Sequence, residues 1–158
     1  MPSSTGSPVQ CIHIGAIYRG PFAHDGTDHL AIVVHADGAS ISLFPISSKI
    51  NTRKLYIRID SYAVVDLDAN MQRILFPGSR LQSFLFCGER NVVEMPNFDF
   101  ASHLHKGTIK KIMNAPSKFL NQVKDAIDNS YTLSPRKQKL FFQSLDAVVS
   151  SIKGATIR

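Results

Sequence analysis

The densest local chemistry of the chain lies in Pro45-Ile-Ser47-Ser48-Lys49-Ile-Asn51-Thr52-Arg53-Lys54. A strand ends there. Two serine hydroxyls, an amide and the cations Lys49, Arg53 and Lys54 follow with no acid among them. Hydroxyls hydrogen-bond the oxygens of a phosphodiester, and a cation offsets charge that grows in its transition state. A second cluster, Arg19, His24, Asp25, Asp28 and His29, fills the loop before the most apolar run. It offers two imidazoles able to exchange a proton near neutral pH and carboxylates able to orient them. The plain alternatives are a solvated loop after an edge strand and a turn rich in Asp and Gly.

The elements that must position these clusters read as strands over the first hundred residues. Residues 11–18 are apolar with partial alternation, residues 29–35 form a continuous apolar run, and residues 40–46 alternate. Asp37-Gly38 between two apolar runs predicts a hairpin. Pro45 cannot donate to a ladder, so its strand ends there or lies at an edge. Residues 54–59 give the cleanest period-two pattern and predict a strand, as do residues 80–87 and 91–95. Beyond them the chain reads as helical. Residues 107–114 allow two turns. Residues 116–127 carry a stripe of Phe119, Leu120, Val123 and Ile127. Ser134-Pro135 predicts an N-cap with proline in the first turn, and Gly154 a helix end.

The 158 residues are 44% hydrophobic and 19% charged, which fits a packed globule rather than a disordered chain. Residues 1–9 read as a loose tail, 10–130 as a barrel domain with its packed helices, and 134–153 as an additional C-terminal helix of the same domain. No apolar run approaches the roughly 20 residues of a spanning helix, so no membrane contact is expected. Cys11 and Cys87 lack metal-ligand spacing and read as reduced thiols of a cytoplasmic protein. His103-Leu-His105 would put two imidazoles on one face of a strand, but without a further ligand, so no metal and no cofactor is expected. Up to residue 100, eight Lys/Arg face nine Asp/Glu. From residue 101, ten face three, and the whole chain carries +6. Such a chain attracts polyanions, unless these lysines simply keep exposed helix faces soluble.

The order of these features resembles the MazF/PemK-like toxin superfamily, small SH3-like barrels that cleave RNA in toxin–antitoxin systems. The residues that carry the resemblance are Gly15-Ala-Ile-Tyr18, a polar loop, Leu30-Ala-Ile-Val-Val34, a hairpin closing in Pro45-Ile-Ser-Ser48, then Gly78-Ser-Arg-Leu81 and a basic helix. The Pro-x-Ser-Ser-Lys end of the hairpin also resembles the ToxN/AbiQ branch, whose antitoxin is RNA. Together they span residues 11–127, and the helix from Ser134 is extra.

The resemblance implies an α+β fold, a small antiparallel SH3-like barrel followed by C-terminal helices. It implies an RNA substrate and a cognate antitoxin, protein or RNA. The catalytic hydroxyl matches Ser47, with Ser48 beside it, and Gly15 matches an early glycine. Where the MazF type has an arginine, this chain has Asp28-His29. Either His29, Arg19 or Lys49 takes over, or activity is altered or lost. Later charged positions of the pattern fall at Glu89 or Arg90. The expected reaction is metal-independent attack of a ribose 2′-OH on phosphorus, leaving a 2′,3′-cyclic phosphate and a 5′-hydroxyl. His29 would be acid or base, Ser47 and Ser48 would hold the phosphate, and Lys49, Arg53 or Arg19 would offset its charge. Lys54 is a further substrate-binding candidate. The competing expectation is a non-catalytic SH3-like binding module, including a poison of a protein target as in CcdB. The apolar faces of the last two helices could pack the core, dock a partner or form a homodimer.

Overall fold

The computed structural model describes residues 12–23 and 25–157. The predicted tail over residues 1–9, Cys11 and His24 lie outside them. Seven strands are present among the described residues: β1 (Ala16–Gly20), β2 (His29–Ala36), β3 (Ser40–Ser47), β4 (Val64–Asp66), β5 (Phe84–Phe86), β6 (Val93–Pro96) and β7 (Lys110–Asn114). They form one antiparallel sheet ordered β4-β5-β3-β2-β1-β7, with β6 also on β3. The helices are α1 (Ile50–Asp60), α2 (Ala69–Leu75), α3 (Asn97–Lys106), α4 (Ser117–Asp128) and α5 (Pro135–Ile157). The class is α+β. The expected barrel is not closed: β4 and β7 end the sheet and do not pair with each other. Three of the five helices precede residue 107, so the helices are only partly C-terminal.

The β2–β3 hairpin forms as its Asp-Gly turn predicts. Asp37 Oδ1 accepts the N–H of Ala39 at 2.7 Å and of Ser40 at 2.9 Å, an Asx turn that holds the carboxyl below its ordinary range. Pro45 neither ends β3 nor sits at an outer edge. β3 pairs with β6 over Ser40–Leu43 and with β5 over Ile46 and Ser47, so Pro45 falls in the gap between two partners, where no N–H is needed. Its carbonyl accepts Asn91 Nδ2–H at 3.0 Å.

Both faces of the sheet are covered. One face packs Ile17, Ile32, Val34 and Phe44 against Phe119, Val123, Phe141 and Leu145 of α4 and α5. Each large apolar side chain so buried stabilises by about 1.5–3 kcal/mol. The Ser134 cap is present, with its hydroxyl accepting Lys137 N–H at 3.3 Å. Gly154 does not end α5, which continues to Ile157. The other face packs Tyr18, Val33 and Leu43 against Phe100 of α3.

Two predicted elements exchange type. Residues 54–59 are not a strand but most of α1. Its inward line is Thr52, Tyr56 and Asp60, spaced by four, while Leu55, Ile57 and Ile59 stay 36–40% exposed. Tyr56 stacks on Phe86 at 3.8 Å between ring centres, and this cross-chain contact overrides the alternation. Residues 107–114 are not helical. Gly107, at φ +81, ends α3 in the left-handed conformation, and the chain leaves it as β7 along β1. The strand predicted over 80–87 shrinks to three residues. His103 and His105 lie on α3 rather than on a strand, where a spacing of two does not share a face.

Candidate functional site

The loop between β1 and β2 begins with a tight return. Phe22 N–H donates to Gly20 O at 2.8 Å, and the buried Phe22 ring lies against Phe100. A Cβ on Gly20 would stand 2.7 Å from Ile109 Cγ1 and 2.9 Å from the Phe22 ring, so only glycine admits this fold-back. Farther along, Asp25 Oδ1 accepts the Thr27 hydroxyl at 2.7 Å and its N–H at 3.1 Å. Those bonds hold the Asp25 carboxyl below its ordinary range, and the His29 imidazole adds a weaker pull. No hydrogen bond joins the two side chains.

His29 opens β2. Ala31 and Pro45 are the outermost pair of the β2–β3 ladder, and His29 and Ser47 lie two residues beyond it on their strands. Residues two apart share a face, so both side chains emerge on the same side at the end of the hairpin. His29, Ser47 and Lys49 line a cleft of about 340 Å³ together with Tyr56, Phe84 and Asn91. They also line a second cleft of about 260 Å³, to which Arg19, Asp28 and Ser48 contribute. Nδ1 of His29 is buried and meets no hydrogen-bond partner among the described residues.

The turn after β3 gives its two serines different work. Ser47 Oγ accepts Lys49 N–H at 3.2 Å, which leaves its O–H free to donate into the cleft. Ser48 Oγ bonds to the fully buried Ser83 Oγ at 2.6 Å, and Gln72 fastens Ser83 through both its amide atoms. Lys49 caps α1 with extended backbone while its own side chain stays exposed. Arg19 and Lys49 make no ion pair among the described residues.

The structure therefore brings together His29, Ser47, Ser48, Lys49 and Arg19 of the predicted site. It does not bring Arg53 or Lys54 to them. Arg53 Nε and Nη2 donate to the two carboxylate oxygens of Asp66 at 2.9 and 2.6 Å. Lys54 is exposed on α1 and lines neither cleft. Gly15, at φ +85, sits at the other end of β1. Glu89 bonds Lys137 Nζ and accepts Ser134 N–H, and these bonds hold its carboxyl below the ordinary range. It is a brace for α5. Burial raises the Tyr56 hydroxyl pKa, and nearby Arg90 opposes that shift. Cys87 is fully buried, and its thiol pKa is pushed far up by burial and by Asp60.

Sequence reasoning passed over Thr52, Tyr56 and Asn91 as cleft residues. The available signal was the spacing of Thr52, Tyr56 and Asp60 by four. Among the described residues no group of three His, Cys, Asp or Glu could hold a metal ion, and no helix is long and apolar enough to cross a membrane. Compared with protein-family models and with curated proteins, the chain matches none.

Proposed function

We propose that this chain is a metal-independent endoribonuclease, the toxin of a toxin–antitoxin system acting in the cytoplasm, of the MazF/PemK-like type. The observation that carries the reading is the lining of one cleft by His29, Ser47, Lys49 and Arg19. The fold assignment that goes with it is an open variant of the SH3-like barrel. Its support is β3, which changes partner from β6 to β5 around Pro45.

The reaction moves two protons and exchanges one bond. A base takes the proton of a ribose 2′-OH, the freed oxygen attacks the adjacent phosphorus, and the bond from phosphorus to the 5′-oxygen breaks. An acid returns a proton to that oxygen. Because Nδ1 of His29 is enclosed, its imidazole exchanges protons through Nε2. Ser47 donates its O–H to a non-bridging oxygen, and Lys49 offsets the charge that accumulates there. The cleft holds one imidazole among the described residues.

The test is incubation of purified protein with RNA in EDTA, followed by end-group analysis. Loss of 2′,3′-cyclic phosphate product in both His29→Ala and Ser47→Ala is expected. Unchanged cleavage in both variants rejects the site. A neighbouring small gene or a tandem-repeat RNA would tell a protein antitoxin from an RNA one.

One observation favours the rival class, a nucleic-acid-binding module without catalysis: among the described residues no carboxylate hydrogen-bonds His29 to orient it. Tight, salt-sensitive RNA binding without product would select that class.

A further inference from the structure

Three clefts on one border of the sheet share residues. The first two have His29, Ser47 and Lys49 in common. The second shares Arg19 and Asp28 with a third, of about 220 Å³, which is closed by Gly107, Thr108 and Lys110. Through those shared residues they follow one another as a grooved border from the turn after β3, past β2 and β1, to the edge strand β7. Three strand spacings separate β3 from β7, about 14 Å. One phosphodiester cannot reach across that span.

The far end of the groove has a charge arrangement that the fold itself does not need. Arg19 pairs in register with Lys110, two cations directly opposite across β1 and β7. Like charges so placed destabilise a sheet. Neither cation makes an ion pair among the described residues. Asp28 lines the same cleft and offsets the pair only in part. The Thr108 hydroxyl is already bonded to His103, through Nδ1 at 2.6 Å and the carbonyl oxygen at 3.2 Å. What remains open is a two-cation cradle at an exposed edge.

We infer that Arg19 and Lys110 form a second phosphate subsite, which holds the phosphate next to the one at His29 and Ser47. This rests on the reading of the groove as an RNA site and deepens it. The ligand is a single strand with at least two consecutive phosphates, laid across the strands rather than along them. A single-phosphate ligand gains nothing from Lys110. Asp28 faces the same phosphate and weakens its hold.

The experiment titrates 2′-O-methyl RNA, which resists cleavage by 2′-OH attack, against the full chain over a salt series. The probes are a dinucleoside monophosphate and a hexanucleotide. For the hexanucleotide, Lys110→Gln should weaken binding several-fold and lower the slope of log affinity against log salt by about 0.7, one phosphate's share on a single strand. Asp28→Asn should tighten it. The dinucleoside monophosphate should not distinguish Lys110→Gln from the parent chain. Lys110 is exposed, so its loss leaves the packing intact, and Arg19→Gln provides a second variant. Hexanucleotide binding with the same slope in Lys110→Gln and the parent overturns the subsite alone. A parent chain that neither binds the hexanucleotide nor cleaves unmodified RNA overturns the RNA reading and the subsite with it.

Discussion

Ser48 Oγ lies 2.6 Å from Ser83 Oγ, while the neighbouring Ser47 Oγ accepts only a backbone N–H two residues on. Adjacent hydroxyls of one turn thus belong to different systems, one to the interior and one to the cleft. Ser48→Ala removes a partner of a buried hydroxyl and should cost about 0.5–1.5 kcal/mol of stability with cleavage retained. Ser47→Ala should leave the melting temperature in place and lower the cleavage rate on the order of 10²-fold, as loss of a preorganised donor does. Thermal melts and single-turnover cleavage of the two variants check the split. The reverse pattern would reassign the two serines.

Arg53 separates charge from function in the same way. Its guanidinium is spent on Asp66, and the hydrogen bonds to that carboxylate hold its proton more firmly. The pair ties the first turn of α1 to β4. Both side chains are about a third exposed or more, so Arg53→Gln should cost only about 0.2–1 kcal/mol and leave RNA affinity unchanged. Arg19→Gln should weaken affinity with stability held or slightly raised, since it removes one charge of the Arg19–Lys110 pair. Denaturant midpoints read beside RNA titrations decide it. Equal affinity losses in the two variants would place Arg53 back in the groove.

The enclosed Nδ1 of His29 gives that residue a cost as well as a use. An unpaired buried polar atom costs about 1–3 kcal/mol, and a donor left without an acceptor is the worse case. The resting neutral ring should therefore favour the Nε2–H tautomer, which nitrogen chemical shifts can read directly, and accepting a proton at Nε2 draws on the less favoured Nδ1–H tautomer. His29→Leu removes the orphaned atom. Stability should hold or rise, while cleavage falls about 10²–10⁴-fold. A destabilised His29→Leu would show that the ring has a structural partner.

Where local signals agreed with tertiary needs, the fold was legible. Asp37-Gly38 fixed a hairpin, Ser134-Pro135 a helix start, and the stripe on α4 its buried face. Residues 29 and 47 line the same clefts because one hairpin joins their strands. Residues 54–59 misread because Leu55, Ile57 and Ile59 alternate without being buried as a set. The contacts that decide the matter, Tyr56 on Phe86 and Asp60 on residues 130–132, reach 30 to 72 positions along the chain. No local window contains them. Thr52, Tyr56 and Asn91 were lost from the site with that helix and its partners. Lys110 was hidden by reading 107–114 as helical, although Gly107 can end one helix as readily as interrupt another.

Asp60 is the buried charge on which the helical half depends. It is 1% exposed and has no cation partner among the described residues. It accepts Ser130 Oγ–H at 2.7 Å, Tyr131 N–H at 3.0 Å, Thr132 N–H at 3.1 Å and Thr132 Oγ1–H at 2.7 Å. Burial pushes its pKa up, but these donors outweigh burial and hold it below the ordinary 3.8. A carboxyl with a lowered folded pKa contributes stability above its unfolded value and loses it as pH falls through the folded one. Glu89, held below 4.5 chiefly by its Lys137 hydrogen bond, adds a loss of the same sign. The chain should therefore lose stability below about pH 4, and the α4–α5 connection at 130–132 should loosen first. Asp60→Asn sets amide donors against backbone donors, and should cost about 1.5–3 kcal/mol at neutral pH. It should also flatten the acid limb, since the titrating group is gone. Urea midpoints of both chains from pH 7 to pH 3 measure this. Parallel limbs would mean that the acid sensitivity belongs to Glu89 or to another carboxylate.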